Sequence, residues 1–355
     1  MNAYFIAHGS TEIGMGHVMR SLSLAKVFRE RRHNVYFFSK YKLGIDKIEE
    51  QGFKVNDIPD QSEKYKPEEY PACTSKEAIK DAEYISSQIV GTADVILVDS
   101  YNVNEKYFDI FKEKAKKLVY IDDLNAFHYP VDILINGSAS AFDMGYENIQ
   151  SAQLLLGLRY NLLRNEFYNI PERNVKTKIE DILITTGNSD PFHMTEQLIN
   201  ILKGEDAFKG LKIHVIKGSG FALDSLADIK LTDSTDILLY DKPVNMAEIM
   251  LKCDLAITAG GSTLYELFAC GVPAIVFSYA ENQMPQINAL KKEGLLMYAG
   301  VFTDLERKKL IEYIRYMQSH YEERKKLVTC IQNKVDAKGA LRVVEKIEES
   351  VILCV

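Results

Sequence analysis

The sequence predicts an α/β protein with two doubly wound, Rossmann-like domains whose parallel sheets face a central cleft. Three observations support this fold class. Short aliphatic runs alternate with amphipathic segments, one polar stretch interrupts that alternation, and a loop of glycine and small polar residues follows the first strand of each half. Repeated β and α segments of this kind form open parallel sheets that bind ligands at the carboxyl ends of their strands.

The candidate strands are short β-branched and aliphatic runs, several of them apolar throughout, as strands covered on both faces must be. In the first half they span 3–7, 35–38, 95–98, 118–121, 133–135 and 154–156. In the second half they span 182–185, 212–216, 237–239, 255–258 and 274–277. The segments between them follow the 3.6-residue period of helices, and 338–349 is predicted as a final helix.

The domain junction is predicted in the polar stretch 164–178, which contains Pro171. The expected organisation is an N-terminal domain over 1–165, a linker over 166–178 and a C-terminal domain over 179–337. The segment 338–355 is expected to pack back on the first domain. A chain of 355 residues is long enough for two domains with separate cores.

Charge and composition narrow the class of partner. The net charge of −7 argues against nucleic acid or an anionic membrane as the main partner, so any phosphate that the protein binds must be held by local geometry. The N-terminus resembles no signal peptide and no apolar run is long enough to cross a bilayer, which predicts a cytoplasmic protein. The cysteines form no C-x-x-C pair, so we expect buried thiols and no structural zinc at Cys73, Cys253, Cys270, Cys330 and Cys354.

The first glycine loop reads E-I-G-M-G-H-V-M-R. Gly14 and Gly16 match the first two glycines of the dinucleotide fingerprint, but Met19 stands where the third belongs, which argues against a nicotinamide or flavin site. His17 is expected in the first turn of a helix that runs to about Arg31. The positive helix end disfavours a second positive charge, so His17 is predicted to be a neutral general base. A capping or spacer role is the alternative.

The second glycine loop reads T-A-G-G-S-T-L-Y-E. Ser262 and Thr263 place N–H and hydroxyl donors at a helix start, where a diphosphate binds well. Glu266 follows one turn later on the same face and can accept the hydroxyl protons of a ribose. Asn282 and Gln283 follow the next strand and are expected to project into the same cleft. An ordinary glycine turn with a glutamate on the helix dipole is the alternative.

Acidic residues follow two strands of the first half. Asp99 ends one run, and Asp122 and Asp123 end the next. Paired carboxylates suggest a divalent metal or glycosidase chemistry, whereas helix capping is the alternative for the second pair. The histidines show no metal-binding spacing, and His8 and His193 are expected to line the cleft.

These motifs, taken in order along nearly the whole chain, resemble the UDP-2,4-diacetamido-2,4,6-trideoxy-β-L-altropyranose hydrolases of pseudaminic acid synthesis, also called the spore coat polysaccharide protein G family. Fold and donor site also resemble the MurG-type GT-B glycosyltransferases. The matching motifs are G-x-G-H-V-x-R at 14–20, V-D-x-Y at 98–101, I-D-D at 121–123, Y-x-L-L-R-x-E-F at 160–167, G-x-S-D-P at 187–191 with Thr195, A-G-G-S-T-x-x-E at 259–266 and N-Q at 282–283.

The resemblance implies that His17 is the catalytic base, which activates a water for attack at the anomeric carbon with inversion and release of UDP. It implies that Tyr101 and Asn282 line the sugar and water region, that Arg164 contacts the substrate, and that Glu266 binds the ribose. Ser262 and Thr263 would form the diphosphate cradle. The loop from Tyr240 to Met246 would lie beside the base of the nucleotide. The remaining substrate-binding positions are Gly14, Gly16, Asn188, Ser189, Gly261 and Gln283.

The expected function is therefore cleavage of a UDP-linked acetamido 6-deoxy sugar to free sugar and UDP, without metal or organic cofactor, in nonulosonic acid or surface polysaccharide synthesis. A GT-B glycosyltransferase with a hydroxyl acceptor, or a noncatalytic nucleotide-sugar sensor, are the alternatives. One departure from the family is Asn188, where a second glycine is usual. Asn tolerates left-handed backbone angles, so the turn is expected to survive, but its side chain leaves the identity of the donor open.

Overall fold

The computed structural model describes residues 1–59, 76–146, 149, 151–205, 208–218, 220–221, 226 and 236–353. The chain divides into two compact units, one formed by Met1–Asn165 with Lys338–Val355 and the other by Glu166–Ala337. No helix in the described ranges is both long and apolar enough to cross a bilayer.

The first unit contains a seven-stranded parallel sheet in the order β3-β2-β1-β4-β5-β6-β7. Its strands are β1 Asn2–Ala7, β2 Asn34–Ser39, β3 Lys54–Asp57, β4 Ala93–Asp99, β5 Ala115–Ile121, β6 Ile133–Asn136 and β7 Gln153–Leu156. Its helices are α1 Gly16–Glu30, α2 Lys42–Glu50, α3 Lys76–Gln88 and α4 Glu105–Asp109. The central strands β1 and β4 are almost entirely buried, as the apolar runs predict.

The second unit contains a six-stranded parallel sheet in the order β10-β9-β8-β11-β12-β13. Its strands are β8 Asp181–Thr185, β9 Lys212–Lys217, β10 Asp236–Asp241, β11 Leu255–Ala259, β12 Ala274–Ser278 and β13 Met297–Val301. Its helices are α5 Met194–Lys203, α6 Met246–Met250, α7 Thr263–Ala269, α8 Met284–Lys292, α9 Arg307–Ser319 and α10 Tyr321–Lys334.

The last helix of the chain, α11, spans Gly339–Ile352 and packs against α1 in the first unit. Arg31 forms ion pairs with Glu345 at 2.7 Å and Glu348 at 2.6 Å. His33 approaches the same Glu348 at 2.7 Å. The buried face of α11 thus completes the core of a unit whose other elements lie more than 170 residues earlier in the chain than its first residue.

All eleven predicted strands are present, which confirms two parallel-sheet, Rossmann-like domains. Two strands, β3 and β13, were not predicted. Each lies at the edge of its sheet. The residues of β3 are exposed or half-buried and lack a continuous apolar run, whereas β13 is apolar but contains Gly300, a residue that is disfavoured in strands. The predicted helix bounds are corrected slightly, because α1 ends at Glu30 and α11 continues to Ile352.

The polar stretch expected to be a linker is packed within the second unit. The guanidinium of Arg173 donates to the carbonyl of Cys270 at 3.1 Å, and its backbone N–H donates to Gln332 at 2.9 Å. Arg324, only 2% exposed, donates to the carbonyl of Thr177 at 3.0 Å. The segment therefore satisfies buried polar groups of this unit.

The cysteine prediction is wrong at one position. Cys253 and Cys270 are buried free thiols as expected, and burial raises the pKa of both. Cys330 is a free thiol that is exposed, because it lies on the outward face of α10. Cys73 and Cys354 lie outside the described residues.

Candidate active site

The first glycine loop connects the end of β1 to the start of α1. Gly14 has a φ of 76°, a left-handed conformation that favours glycine. The hydroxyl of Ser10 accepts the N–H groups of Glu12 and Ile13, both at 3.2 Å, which holds the turn. Met15 provides no side-chain cap and the first turn of α1 has no acidic residue. The helix start is thus electropositive, with His17 as its second residue.

His17 is bonded to a carboxylate at the end of a neighbouring strand. Ala7 of β1 pairs with Asp99 of β4, so Asp99 lies at the same edge of the sheet as the glycine loop. Nδ1 of His17 lies 2.6 Å from Oδ1 of Asp99, whose side chain is fully buried. Such a short contact requires a proton on Nδ1, because a bare ring nitrogen and a carboxylate oxygen repel each other. The neutral ring therefore carries its lone pair on Nε2.

Arg20 binds the same carboxylate. Its Nε donates to Oδ2 of Asp99 at 2.7 Å, one terminal nitrogen donates to Oδ1 at 2.6 Å, and the other donates to Asp123 at 2.7 Å. Burial alone would raise the pKa of Asp99, but Arg20 and His17 lower it to about 2. Burial alone would likewise lower the pKa of Arg20, whereas Asp123 and Asp99 raise it well above its usual value. Asp99 is thus held as a carboxylate across the physiological range.

Tyr101 packs against His17. The centroid of its ring is 4.6 Å from that of His17 in an edge-on arrangement, and its hydroxyl donates to Asp123 at 2.7 Å. Burial, followed by the charge of Asp123, raises the pKa of Tyr101, so the phenol stays protonated. Of the residues predicted for the first domain, the structure thus brings together His17 and Tyr101, with Gly14 and Gly16 in the adjoining loop.

A cavity of about 30 Å³ lies beside this cluster. It is lined by His8, His17, Lys40, Asp99 and Tyr101, among others, all within the first unit. A polar cavity of this size accommodates water.

Asp122 and Asp123, the acidic pair predicted after β5, form different contacts. Asp123 belongs to the cluster around Arg20, whereas Asp122 is fully buried away from it. Asp122 accepts the N–H groups of Leu124 at 3.1 Å and Asn125 at 2.7 Å, and it also accepts the hydroxyl of Tyr146. Neither a helix cap nor a metal pair describes this arrangement, because the carboxylate instead stabilises a tight turn.

The second glycine loop follows β11 in the second unit and leads into α7. Ser262 precedes the helix without forming a side-chain cap. Within the described part of the chain, no hydrogen bond is formed by the N–H groups of Ser262 and Thr263. A Cβ on Gly261 would meet no atom within 4 Å, so the approach to these donors is open. This arrangement suits an anion.

Gln286, which no sequence motif indicates, holds the second glycine loop. Gln286, in the first turns of α8, donates through Nε2 to the carbonyl of Gly260 and accepts the hydroxyl of Tyr265 at 2.9 Å. The predicted Gln283 has a similar supporting contact, because its Oε1 accepts the N–H of Tyr279 at 3.0 Å. Asn282 is exposed on the same short 3₁₀ turn, and Glu266 is half-buried in α7.

The loop after β8 corrects the expectation about Asn188. Gly187, not Asn188, has the left-handed φ of 92°. Asn188 is exposed, and its carbonyl accepts the N–H of Gly220 at 3.0 Å. Ser189 is half-buried, and its carbonyl accepts the hydroxyl of Thr186 at 3.0 Å. The substitution is therefore accommodated in the turn without backbone strain.

The remaining predicted residues lie elsewhere. The hydroxyl of Tyr240 lies 3.0 Å from Nδ1 of His214, whose Nε2 lies 2.8 Å from Asp181 at the amino end of β8. This phenol therefore points away from the carboxyl ends of the strands.

Three further predicted residues lie outside both glycine loops. The backbone N–H of Met246 donates to Glu166 at 2.9 Å. Arg164 is half-buried in the first unit, and His193 is exposed with a left-handed φ of 52° before α5.

One acidic group has the spacing of metal ligands. Glu180, Asp181 and Asp254 each offer an oxygen within 4.8 Å of the others. The ammonium of Lys176 lies 3.1 to 3.2 Å from all three, so a cation of the protein already neutralises them. The group lies at the amino ends of β8 and β11, opposite the edge where ligands bind parallel sheets.

One family model, several curated proteins and several solved structures are similar to this chain. Residues 181–341 match the family described as the Glycosyltransferase family 28 C-terminal domain. The crystal structure of Acinetobacter baumannii MurG superposes with a TM-score of 0.69 at 15% identity, covering 98% of this chain and 99% of that one. This likeness confirms the GT-B fold.

Three curated relatives are more similar in sequence. Uncharacterized protein MJ1062 of Methanocaldococcus jannaschii is 31% identical over 80% of this chain and 57% of its own length. The Helicobacter pylori protein named pseudaminic acid cytidylyltransferase and UDP-2,4-diacetamido-2,4,6-trideoxy-beta-L-altropyranose hydrolase is 27% identical over 60% of this chain and 39% of its own length. The Campylobacter jejuni UDP-2,4-diacetamido-2,4,6-trideoxy-beta-L-altropyranose hydrolase is 24% identical over 83% of this chain and 97% of its own length. The chain thus spans 57% of the length of the first relative, 39% of the second and nearly all of the third.

Proposed function

We propose that this chain, a homologue of UDP-diacetamido-trideoxy-altropyranose hydrolases with the GT-B fold, hydrolyses a UDP-linked acetamido 6-deoxy sugar to the free sugar and UDP. The observation that carries the proposal is the pairing of His17 with buried Asp99 beside a polar cavity that accommodates water. UDP-2,4-diacetamido-2,4,6-trideoxy-β-L-altropyranose or a close relative is the proposed substrate. We further propose a place in nonulosonic acid or surface polysaccharide synthesis in the cytoplasm.

His17 acts as the general base. Its Nδ1–H is bonded to Asp99, so Nε2 accepts a proton from water as the water oxygen bonds to the anomeric carbon. The bond from that carbon to the diphosphate oxygen breaks, and its electron pair leaves with UDP, which inverts the anomeric centre. Asp99 stabilises the imidazolium that forms, and Arg20 keeps Asp99 ionised.

The leaving group is assigned to the second unit. The N–H groups of Ser262 and Thr263 would donate to the diphosphate as its charge develops, and Glu266 would accept the ribose hydroxyls. The match of residues 181–341 to a glycosyltransferase C-terminal domain supports a nucleotide-binding role for this part of the chain. Asn188, Ser189, Met246, Asn282 and Gln283 stay proposed substrate positions, whereas the hydroxyl of Tyr240 is directed toward His214 and would contribute at most through its backbone.

A GT-B glycosyltransferase is the second candidate, because the same family match and the MurG fold also fit transfer of the sugar to a hydroxyl. The two reactions differ in their product. Hydrolysis gives free sugar with UDP in equal amounts, whereas transfer gives a glycoside and requires an added acceptor.

Hydrolysis in ¹⁸O-labelled water tests the proposal. The purified protein is incubated with the diacetamido UDP-sugar, and we expect one ¹⁸O at the anomeric position and none in UDP. Label in UDP would refute attack at carbon. The variant His17→Phe should lose turnover by about 10²- to 10⁴-fold, as expected for removal of a general base, while still binding UDP in calorimetry. Turnover that persists in this variant would refute the assignment of the base.

A further inference from the structure

A second histidine, His8, lies beside the network formed by His17, Asp99 and Arg20. It follows β1 directly, and the last residue of β1, Ala7, pairs with Asp99. Nδ1 of His8 is buried and has no hydrogen-bond partner among the described residues. A buried ring nitrogen without a partner is unfavourable, so an atom outside the protein chain is expected to bind it.

Both histidines line the cavity of about 30 Å³. Within the described ranges, neither Nδ1 of His8 nor Nε2 of His17 is bonded to a protein atom. A water in a buried site needs at least two polar partners, and these two nitrogens are the candidate acceptors on the histidines that line the cavity.

The charges around the cavity favour a neutral occupant. The ammonium of Lys40 is bound by Glu77 and lies 3.1 Å from Asp81, so its positive charge is already matched. Asp99 adds another negative charge to the lining. A phosphate or carboxylate would be repelled, whereas water would not.

We propose that His8 and His17 together hold the water that attacks the sugar, with Nδ1 of His8 accepting the hydrogen that His17 does not take. This inference rests on the proposed hydrolysis. A base alone fixes one O–H bond and leaves the water free to rotate, whereas a second acceptor fixes both and directs a lone pair at the anomeric carbon.

The two histidines have different parts in the step. One water proton passes to Nε2 of His17 as the C–O bond to UDP breaks, and the other stays on the new hydroxyl of the sugar, still bonded to His8. Burial, with smaller effects of the charges on His17 and Lys40, lowers the pKa of His8 to about 3. His8 therefore keeps its lone pair and does not compete for the transferred proton.

Two measurements test the inference. A crystal structure at a resolution that locates ordered waters should show one water within about 2.6–3.2 Å of both Nδ1 of His8 and Nε2 of His17. In steady-state hydrolysis of the diacetamido UDP-sugar, His8→Leu should lower kcat about 10- to 100-fold with KM within about twofold. His8→Asn places an amide oxygen near the position of Nδ1 and should restore most of kcat. His128→Leu, which removes an exposed histidine of the same unit, should behave as wild type.

A water bound to only one of these nitrogens, or to neither, would overturn the inference, as would an unchanged kcat in His8→Leu when wild type is active. Failure of His8→Asn to restore kcat would assign His8 a role in packing instead. If the wild-type protein releases no UDP, the proposed function fails, and the crystallographic water still decides whether the histidines share it.

Discussion

The cluster around His17 depends on one fully buried carboxylate. Asp99 accepts from His17 and from two nitrogens of Arg20, and Arg20 also bonds Asp123. The arrangement orients the imidazole and sets its tautomer, which a helix dipole alone does not do. At this scale the sequence predicted His17 and Tyr101 from a motif but did not connect either to Asp99 or Arg20.

Replacing Asp99 with Asn should impair catalysis more than ground-state binding. The amide can offer N–H to Nδ1 and favour the wrong tautomer, so we expect kcat to fall on the order of 10²- to 10⁴-fold with little change in UDP affinity. Asp123→Asn is the matched control, because it contacts Arg20 and Tyr101 but not His17, and its loss should be smaller. Equal kcat values for the two variants would contradict the orienting role.

His8 should make stability depend on pH. Its pKa is about 3 in the folded protein, chiefly through burial and then through His17 and Lys40, with Asp99 opposing them. The unfolded chain takes up the proton first, near pH 6.5, so stability is full above that pH and falls as pH drops from 6.5 toward 3. The contribution is at most about 1.4 kcal/mol per pH unit.

Urea unfolding of wild type and His8→Asn between pH 7.5 and 5 measures this effect. The variant should show a shallower loss of unfolding free energy, whereas His128→Asn should keep the wild-type slope because His128 is exposed. Parallel curves for wild type and His8→Asn would show that His8 does not titrate in this way.

At the scale of elements, the apolar runs located every central strand, because a strand buried on both faces must be apolar along its length. The edge strand β3 was not predicted because its residues are exposed or half-buried and it has no such run, and β13 was not predicted because Gly300 lowers its strand propensity. The start of α1 was predicted correctly from its glycines. The support that α8 gives to the second glycine loop was not, because Gln286 lies 26 residues from Gly260 and follows no local pattern.

Gln286→Leu should weaken nucleotide binding without unfolding the second unit. The leucine fills similar volume but cannot donate to the carbonyl of Gly260 or accept from Tyr265, so the loop before α7 loses its anchor. We expect UDP to bind about 5- to 20-fold more weakly in calorimetry, the loss of one or two hydrogen bonds. Lys292→Leu, at the exposed end of α8, is the control and should bind UDP normally. Unchanged affinity in Gln286→Leu would refute a role for this anchor.

At the scale of the whole molecule, the first unit is discontinuous in sequence. The helix α11 returns after the entire second unit and buries Val343, Val344 and Ile347 in the first. Three charged contacts to Arg31 and His33 accompany this packing. The first unit therefore depends on residues at both ends of the chain.

Ile347→Ala should destabilise the first unit by about 2–5 kcal/mol, because it removes a fully buried side chain and leaves a cavity. Ile352→Ala, at a position 71% exposed on the same helix, should change stability by less than about 0.5 kcal/mol. Hydrogen exchange resolved by peptide measures both. Protection should fall across β1 and α1 in the first variant, and a loss confined to β8–β13 would contradict the placement of α11.

The sequence by itself determined the class of sheet, the positions of the central strands and the helix that begins beside His17. These features follow from apolar periods and glycine turns, which act over a few residues. Only the tertiary structure decided which carboxylate serves His17, because Asp99 lies 82 residues away and is brought near by the adjacency of β1 and β4. It likewise placed His8, whose Nδ1 has no hydrogen-bond partner among the described residues, on the cavity of His17. The other residues that line this cavity come from separate segments of the chain, which meet only when the strand order is formed.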